Sequence, residues 1–229
     1  NSWIEDQTNK KIVNLIPSGA INGLTRLVLT NAIYFKGTWV IQFDKKNTKP
    51  ADFTLGSGTK VSVPLMALSG EKAIFNYTEN DAEQAIELPY KGDRLSMMII
   101  LPKNSKMQSV ENTLTVDSST ALKNRMRSQR VNIFSPKFTF KTTYQMVDDL
   151  TALGMPTAFS DSADFSGMDG KKDLLISQVI HQAFVDVNEE GTEAAAATGV
   201  VVGITSVMPT PIPEFRADHP FIFLIQDNT

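Results

Sequence analysis

Residues 189–205 read EEGTEAAAATGVVVGIT, and this stretch carries more information about the architecture than any other part of the chain. Its local preferences conflict. Thr192 is an acceptable helix N-cap, the alanines at 194–197 are the strongest helix formers, and Gly199 would end a helix. The valines at 200–202 instead favour extended chain. Local propensity therefore favours a short helix that gives way to a strand.

The same stretch is also suited to the interior of a β-sheet. It contains no proline, no large side chain and no charge from Ala194 to Ser206. Such a segment could pass between two existing strands without a clash, which bulky or charged residues would forbid. Because side chains alternate along a strand, one face would carry Thr192, Ala194, Ala196, Thr198, Val200 and Val202.

The composition is that of a globular protein, and its net charge indicates which classes of partner to expect. The chain has 229 residues, of which 41% are hydrophobic and 21% charged, enough for one sizeable core or two small ones. A net charge of −3 gives no basic field for nucleic acid or an anionic membrane, so we expect neither as a partner. The absence of cysteine excludes disulfides, thiol nucleophiles and cysteine-based zinc sites.

Hydrophobic periodicity and turn residues predict a mixture of helices and strands. A helical pattern runs over residues 3–16 and stops at Pro17, and a second ends at Gly154. The nearly continuous apolar run within 25–37 predicts a strand buried on both faces. The run 95–101 is too short to span a bilayer and predicts another buried strand. Further strands are predicted at 85–89, 131–141, 180–187 and 220–225.

The sequence shows no enzyme signature. Ser166 lacks the first glycine of a nucleophile elbow, and Gly56 and Gly58 lack the third glycine of a dinucleotide-binding loop. Two histidines, His181 and His219, are too few for a metal cluster and are interpreted as structural. We therefore predict no catalytic residues, no metal and no cofactor. In this local interpretation the acidic pair before Gly191 marks the start of a solvated loop.

Several short motifs, in order along nearly the whole chain, resemble the serpin family of serine protease inhibitors. Each motif is weak alone, but their number and order are not. They are TNAIYFKGTW (30–39), ELPYKG (87–92), PKF (136–138), LGM (153–155), ADFSG (163–167), HQAF (181–184) and DHPFIF (218–223).

The resemblance implies an α+β fold. It has a large central mixed β-sheet, further sheets, surrounding helices and an exposed reactive-centre loop. Residues 1–229 would form a single serpin domain that is incomplete, with the early helices and the C-terminal strand missing. Both chain ends look cut, so the compartment is left unknown, with a secreted location favoured by the family.

The implied function is irreversible, suicide-type inhibition. A protease cuts the loop, becomes an acyl-enzyme, and is disabled when the loop inserts into the central sheet. The alternative is a non-inhibitory serpin-fold binding or storage protein. Bulky, charged or proline residues in the part of the hinge after Glu193 would favour that alternative, and residues 194–198 contain none. The hinge residues are Glu189, Glu190, Gly191, Thr192, Glu193, Ala194, Ala195, Ala196, Ala197 and Thr198.

The usual loop length places the reactive bond between Thr205 and Ser206, with Ile204 as the second choice for the residue before the cut. These residues suit the pockets of elastase-like or subtilisin-like serine proteases, and a cysteine protease is a further candidate partner. We expect the inhibitor to be a monomer.

The resemblance also assigns residues that control opening of the sheet. Asn31 and His181 match a pair that bridges the strands across the closed middle. Trp39, Lys137 and Glu189 match a cluster where the loop first inserts. For Trp39 an ordinary core position is an equally good interpretation, because burial would explain it either way.

Overall fold

The structure is a computed structural model, and it describes residues 1–103, 107–192 and 211–229. It contains fourteen strands and five helices among these residues, together with two short 3₁₀ turns, Lys45–Asn47 and Thr157–Phe159. In chain order the helices and strands are α1 (Ser2–Gln7), β1 (Leu27–Tyr34), β2 (Gly37–Thr38), β3 (Lys49–Thr54), β4 (Lys60–Leu68), β5 (Ile74–Glu79), β6 (Glu83–Pro89), β7 (Leu95–Pro102), α2 (Met107–Thr113), α3 (Val116–Arg125), β8 (Arg127–Arg130), β9 (Asn132–Pro136), β10 (Phe138–Gln145), α4 (Val147–Ala152), α5 (Ser166–Asp169), β11 (Ile176–Asn188), β12 (Gly191–Thr192), β13 (Glu214–Arg216) and β14 (Ile222–Asp227).

The chain divides into two compact units. The first comprises residues 1–35 and 139–185, and the second comprises residues 36–138 and 186–229. None of the helices in the described part of the chain is long and apolar enough to cross a membrane.

The first unit is built on β11, which pairs with β1 in parallel and also with β10. The register sets Asn31 opposite His181. Its core contains Ile4, Ile12, Leu15 and Ile180, with Val28, Ala32 and Phe184 packed against them. Helix α4 ends before Gly154, which has the positive φ of 101° expected of a residue that terminates a helix.

The helix predicted over residues 3–16 is wrong beyond Gln7. Asn9 and Lys10 have φ values of 49° and 58°, which no α-helix accommodates. The hydroxyl of Thr8 accepts a hydrogen bond from the Ile12 backbone, a local alternative to helical bonding. The apolar residues are still buried, because the irregular segment turns Ile12 and Leu15 into the core.

The strand predicted within 25–37 is confirmed as β1, but its burial on both faces is wrong. Leu29 and Ile33 are 40% and 49% exposed. Their neighbours Val28 and Ala32 pack on the core instead. Because side chains alternate along the strand, the two sets lie on opposite faces of the sheet. The continuous apolar run therefore did not indicate that both faces are buried.

The second unit contains two further sheets. One has the order β13-β9-β4-β3, and the other has the order β14-β7-β6-β5-β8. Helices α2 and α3 contribute Val110 and Leu122 to a core with Ala85, Met98 and Ile100. Strand β7 is buried along almost its whole length, which confirms the prediction for residues 95–101.

The single strand predicted over 131–141 is instead two strands, β9 and β10, separated by Lys137. The backbone N–H of Lys137 donates to the carbonyl of Pro64 in β4 at 2.8 Å, one position beyond the last β9–β4 pair, Pro136 with Leu65. The chain then changes sheets, because β10 pairs with β11. This change places the Lys137 side chain at the junction.

Candidate functional site

The candidate site lies in the second unit, where the chain leaves β11 and folds back on itself. Two residues after the fold-back form β12, which pairs antiparallel with β11 through Val187–Thr192 and Asn188–Gly191. On its other side β12 pairs antiparallel with β2, with Gly191 opposite Thr38 and Thr192 opposite Gly37. The start of the predicted hinge is therefore a strand between two others. The short helix that local propensity favours after Thr192 lies outside the described residues.

Gly191 is required by the geometry of this insertion. Its φ is 145°, outside the range that other residues normally adopt. A Cβ added there would lie 2.1 Å from the carbonyl oxygen of Gly37 and 2.7 Å from the Cα of Thr38. Gly191, which lies opposite Thr38, thus lets the backbones of β12 and β2 approach closely.

Thr192 is fully buried in β12. Its hydroxyl lies 2.9 Å from the phenol oxygen of Tyr90, and either group can be the donor. Tyr90 is itself only 2% exposed, and this burial raises the pKa of its phenol. Tyr90 therefore keeps its proton at ordinary pH and remains able to donate.

The interpretation of Glu189 and Glu190 as the start of a solvated loop is wrong, because both residues are buried. The local sequence did not indicate the cations and polar groups that contact these two glutamates in the fold. The Oε1 of Glu189 accepts from the Thr48 hydroxyl at 2.8 Å, and its Oε2 accepts from Lys137 Nζ at 3.1 Å. Glu190 accepts from Lys45 Nζ at 2.5 Å.

The electrostatics of the two carboxylates follow from these contacts. Burial alone would raise the pKa of Glu189, but hydrogen bonds from its own backbone N–H, Thr48 and Lys137 outweigh burial and lower it. The hydrogen bond and charge of Glu190 raise the pKa of Lys45. Glu189 is therefore ionised at neutral pH, and each of the two carboxylates contacts a lysine at the fold-back.

The backbone of the fold-back is also held by neighbouring residues. The carbonyl of Glu190 accepts from the backbone N–H of Trp39 at 3.0 Å and from the Gln42 amide at 3.2 Å. The carbonyl of Glu189 accepts from the Phe43 backbone N–H at 2.9 Å. The polar groups that a tight turn would leave unpaired are thus satisfied.

Trp39 packs beside this turn and is 2% exposed. Its indole N–H donates to the carbonyl of Asn188 at 3.0 Å, and its ring stacks on Tyr90 with centroids 4.5 Å apart and planes at 16°. The ring is a core aromatic, and its hydrogen bond to Asn188 also joins it to the last residue of β11. The two interpretations left open for this residue are compatible.

The structure brings together Trp39, Lys137, Glu189, Glu190, Gly191 and Thr192. Asn31 and His181 lie in the first unit, opposite each other in the β1–β11 register, and the His181 ring lies 6.1 Å from that of Tyr144. The remaining predicted hinge residues, Glu193, Ala194, Ala195, Ala196, Ala197 and Thr198, lie outside the described residues, as do Ile204, Thr205 and Ser206.

Sequence reasoning missed four residues of this site, namely Gly37, Lys45, Thr48 and Tyr90. Gly37 and Tyr90 occur within quoted motifs, but nothing in those motifs pointed to the hinge. Lys45 and Thr48 carried no signal at all, since they contact the glutamates only through the fold. No group of three or more His, Asp or Glu side chains that could hold a metal ion occurs in the described part of the chain.

These features define a class of protein: an α+β fold in which a chain segment folds back from one strand and pairs between that strand and another. The family model for serpin, the serine protease inhibitors, matches residues 1–229. The chain belongs to the serpin family. The family and fold class expected from the motifs are confirmed.

Individual comparisons agree with this assignment. An uncharacterized serpin-like protein of Methanosarcina acetivorans is 48% identical over 230 residues, covering 100% of this chain and 53% of the relative. Intracellular coagulation inhibitor 2 of Tachypleus tridentatus is 42% identical, covering 98% of this chain and 55% of that protein. The crystal structure of Serpin48 from the insect Tenebrio molitor superposes with a TM-score of 0.85 at 38% identity, covering 100% of this chain and 60% of that one.

The chain spans about half the length of the curated relatives it matches. Members of this family are typically protease inhibitors rather than enzymes, and their typical partners are serine proteases.

Proposed function

We propose that this chain belongs to an irreversible, suicide-type inhibitor of serine proteases, with residues 1–229 forming part of a single serpin domain. One observation carries the proposal: Gly191 and Thr192 already pair as a strand between β11 and β2. When the first residues of a loop already lie between two strands, the first step of insertion has already taken place. After Glu193 the residues from Ala194 to Thr198 are all small, which is what continued insertion needs.

The proposed reaction begins as ordinary proteolysis. The protease serine oxygen attacks the carbonyl carbon of Thr205, and the bond to Ser206 breaks. Ser206 leaves with a new amino group that takes its proton from the protease's general acid. Thr205 is then held as an ester on the protease. Insertion of residues 193–205 carries that ester away from its original position before water can hydrolyse it.

The register of β12 supports continued insertion. Each residue beyond Thr192 moves one place back along β11, so an extended strand would set Thr198 opposite His181. The same count along the other neighbour, starting from Gly37, sets Thr198 opposite Asn31. Asn31 and His181 are opposite each other now. The two counts differ by the offset between β1 and β11 at every position, so each inserted residue would separate one existing pair, and Thr198 would separate Asn31 from His181.

Insertion must be faster than hydrolysis of the ester, so the proposal depends on the energy of each step. The inserted segment gains ladder hydrogen bonds to both neighbouring strands, from alternate residues, and buries the side chains on one of its faces. A barrier increase of about 1.4 kcal/mol slows a step about tenfold, so one unsuitable side chain would be enough to lose the protease. The run from Ala194 to Ser206 contains none.

The partner follows from the residues around the proposed cut. Thr205 and Ile204 fit small or apolar primary pockets, so elastase-like and subtilisin-like serine proteases are the proposed targets, with a cysteine protease as a further candidate. Trypsin-like pockets hold a buried carboxylate and require a cation instead. The inhibitor is proposed to act as a monomer.

The test is a denaturing gel after the full-length protein is mixed with elastase or with subtilisin. We expect a band that survives boiling in detergent, at the mass of the protease plus the inhibitor without the fragment that begins at Ser206, and no such band with protease whose active-site serine has been blocked. Loop cleavage without that band, together with an unchanged melting temperature of the cleaved protein, would overturn the proposal in favour of a non-inhibitory binding or storage protein.

A further inference from the structure

We infer that Tyr90 is a positioning residue for loop insertion: its phenol holds the Thr192 side chain inside the sheet before any bond is cut. The inference rests on the proposed function and names a residue that the motifs did not assign to the hinge. Its starting point is one contact. The phenol oxygen lies 2.9 Å from the Thr192 hydroxyl, and both residues are buried.

Tyr90 is well placed to act as a fixed partner. It follows β6 directly, and its backbone N–H donates to the carbonyl of Leu95 at 3.0 Å. Trp39 forms an isolated antiparallel bridge with it and stacks on its ring at 4.5 Å. A ring held on its face and by its backbone presents the phenol oxygen at one position. The contact with Thr192 is therefore built into the second unit and is not an adjustable surface contact.

The contact controls whether Thr192 is in the sheet. A threonine hydroxyl that is 0% exposed needs a partner, because burying it without one costs free energy. Removing the phenol oxygen leaves that hydroxyl without this partner only while Thr192 remains inserted. The change therefore shifts the population toward a state in which Thr192 lies outside the sheet. Insertion after cleavage would then have to begin by returning Thr192 to the sheet, which is an additional unfavourable step.

Paired substitutions at Tyr90 and Thr192 separate a specific role of this contact from general destabilisation. Tyr90→Phe leaves the Thr192 hydroxyl without the phenol, and Thr192→Val leaves the phenol without the hydroxyl. The double variant removes both polar groups while keeping both shapes, which can be nearly neutral. A specific contact therefore predicts that the double variant is closer to the parent than either single variant. General loss of packing predicts the opposite.

The first measurement uses no protease. Amide hydrogen exchange of Gly191 and Thr192 in the uncleaved full-length protein should be about tenfold faster in Tyr90→Phe and in Thr192→Val, and should return toward the parent rate in the double variant. Tyr77→Phe is the matched control. Tyr77 is also buried and its phenol oxygen accepts from Gln84, but it lies in β5, away from the hinge. Its variant should leave these two amides unchanged.

The second measurement is the number of inhibitor molecules consumed per protease inactivated. We expect this number to rise severalfold in each single variant and to recover in the double variant. Parental exchange rates in Tyr90→Phe, or a double variant worse than both single variants, would overturn the inference. If the parent inhibits no protease while the exchange pattern is as expected, the proposed function fails and the positioning role of Tyr90 stands.

Discussion

The ammonium nitrogen of Lys137 lies 3.1 Å from Oε2 of Glu189, at the point where the chain turns back from β11 toward β12. The two partners differ in environment, since the Lys137 side chain is 43% exposed and that of Glu189 only 5%. The carboxylate has therefore lost most of its water, while the ammonium keeps part of its own. The pair links Lys137, between β9 and β10, to the turn between β11 and β12. Removing the lysine would leave the buried carboxylate without this cation.

Lys137→Met should destabilise the protein measurably. An exposed ion pair is worth about 0–1 kcal/mol and breaking a buried one costs about 3–5 kcal/mol, so a half-buried pair should fall between these values. The measurement is the free energy of unfolding in urea. Lys60→Met is the matched control, because the Lys60–Asp52 pair lies 3.3 Å apart with side chains 66% and 67% exposed. An equal effect of the two variants would mean that burial of Glu189 is unimportant.

Glu189 should also make stability depend on pH. The pKa of its carboxyl is lowered in the folded state relative to the ordinary value of 4.5. Its contribution is therefore fully present above that ordinary value and is lost as the pH falls through the folded-state pKa. The difference in unfolding free energy between the parent and Glu189→Gln should thus be largest at pH 7 and should shrink below about pH 4. A difference that grows on acidification would contradict the assigned direction.

Gly191→Ala should prevent β12 from pairing with β2. The new Cβ would lie 2.1 Å from the Gly37 carbonyl oxygen, and the backbone would be held at a φ of 145°. We expect faster amide exchange at Thr192 and a higher number of inhibitor molecules consumed per protease. Gly167→Ala is the control, since a Cβ there meets nothing within 4 Å. Parental behaviour of Gly191→Ala would show that β12 is dispensable for trapping.

Thr192→Arg should convert the proposed inhibitor into a substrate. Thr192 is fully buried, so arginine there would bury a charge without a partner or keep the segment out of the sheet. Either outcome slows insertion and leaves hydrolysis of the ester untouched, so the protease escapes with the loop cut. Glu193→Arg, whose side chain would alternate to the other face, should be much milder. Equal stoichiometry of inhibition for Thr192→Arg and the parent would exclude this hinge assignment.

Thr205→Arg should redirect the inhibitor toward trypsin-like proteases while keeping the trap. Recognition depends on the residue before the cut, and a cation there pairs with the buried carboxylate of a trypsin-like pocket. Trapping depends on the hinge, which this change leaves intact. We expect a detergent-resistant complex with trypsin that the parent does not form. Cleavage by trypsin at another bond without a complex would place the reactive bond elsewhere, with Ile204 the next residue to test.

The sequence predicted most strands, because apolar runs such as that of β7 indicate local structure directly. It predicted the family through the number and order of its short motifs. It failed where the outcome depended on distant partners. Glu189 and Glu190 look solvated in isolation, and only the fold brings Lys137, Thr48 and Lys45 to them. The helix predicted through Ile16 failed for a local reason, since a helical spacing of apolar residues does not reveal the left-handed residues Asn9 and Lys10.

The site residues divide in the same way. Trp39 and Lys137 were identified through motif resemblance, because a family motif marks positions whose contacts form only in the folded protein. Tyr90 was quoted within a motif but could not be connected with Thr192, because 101 residues of chain lie between two side chains that meet only in the folded protein. Strand pairing over such distances is set by tertiary packing rather than local preference.

The stacking of Trp39 on Tyr90 also gives the molecule an optical reporter of its own. The chain has two tryptophans, of which Trp39 is 2% exposed and Trp3 is 72% exposed. A soluble quencher therefore removes the emission of Trp3 first and leaves a signal from the indole whose N–H contacts Asn188. That residual signal follows the environment of the fold-back in unlabelled protein, so the movement of the hinge can be timed in a stopped-flow fluorimeter without attaching a dye.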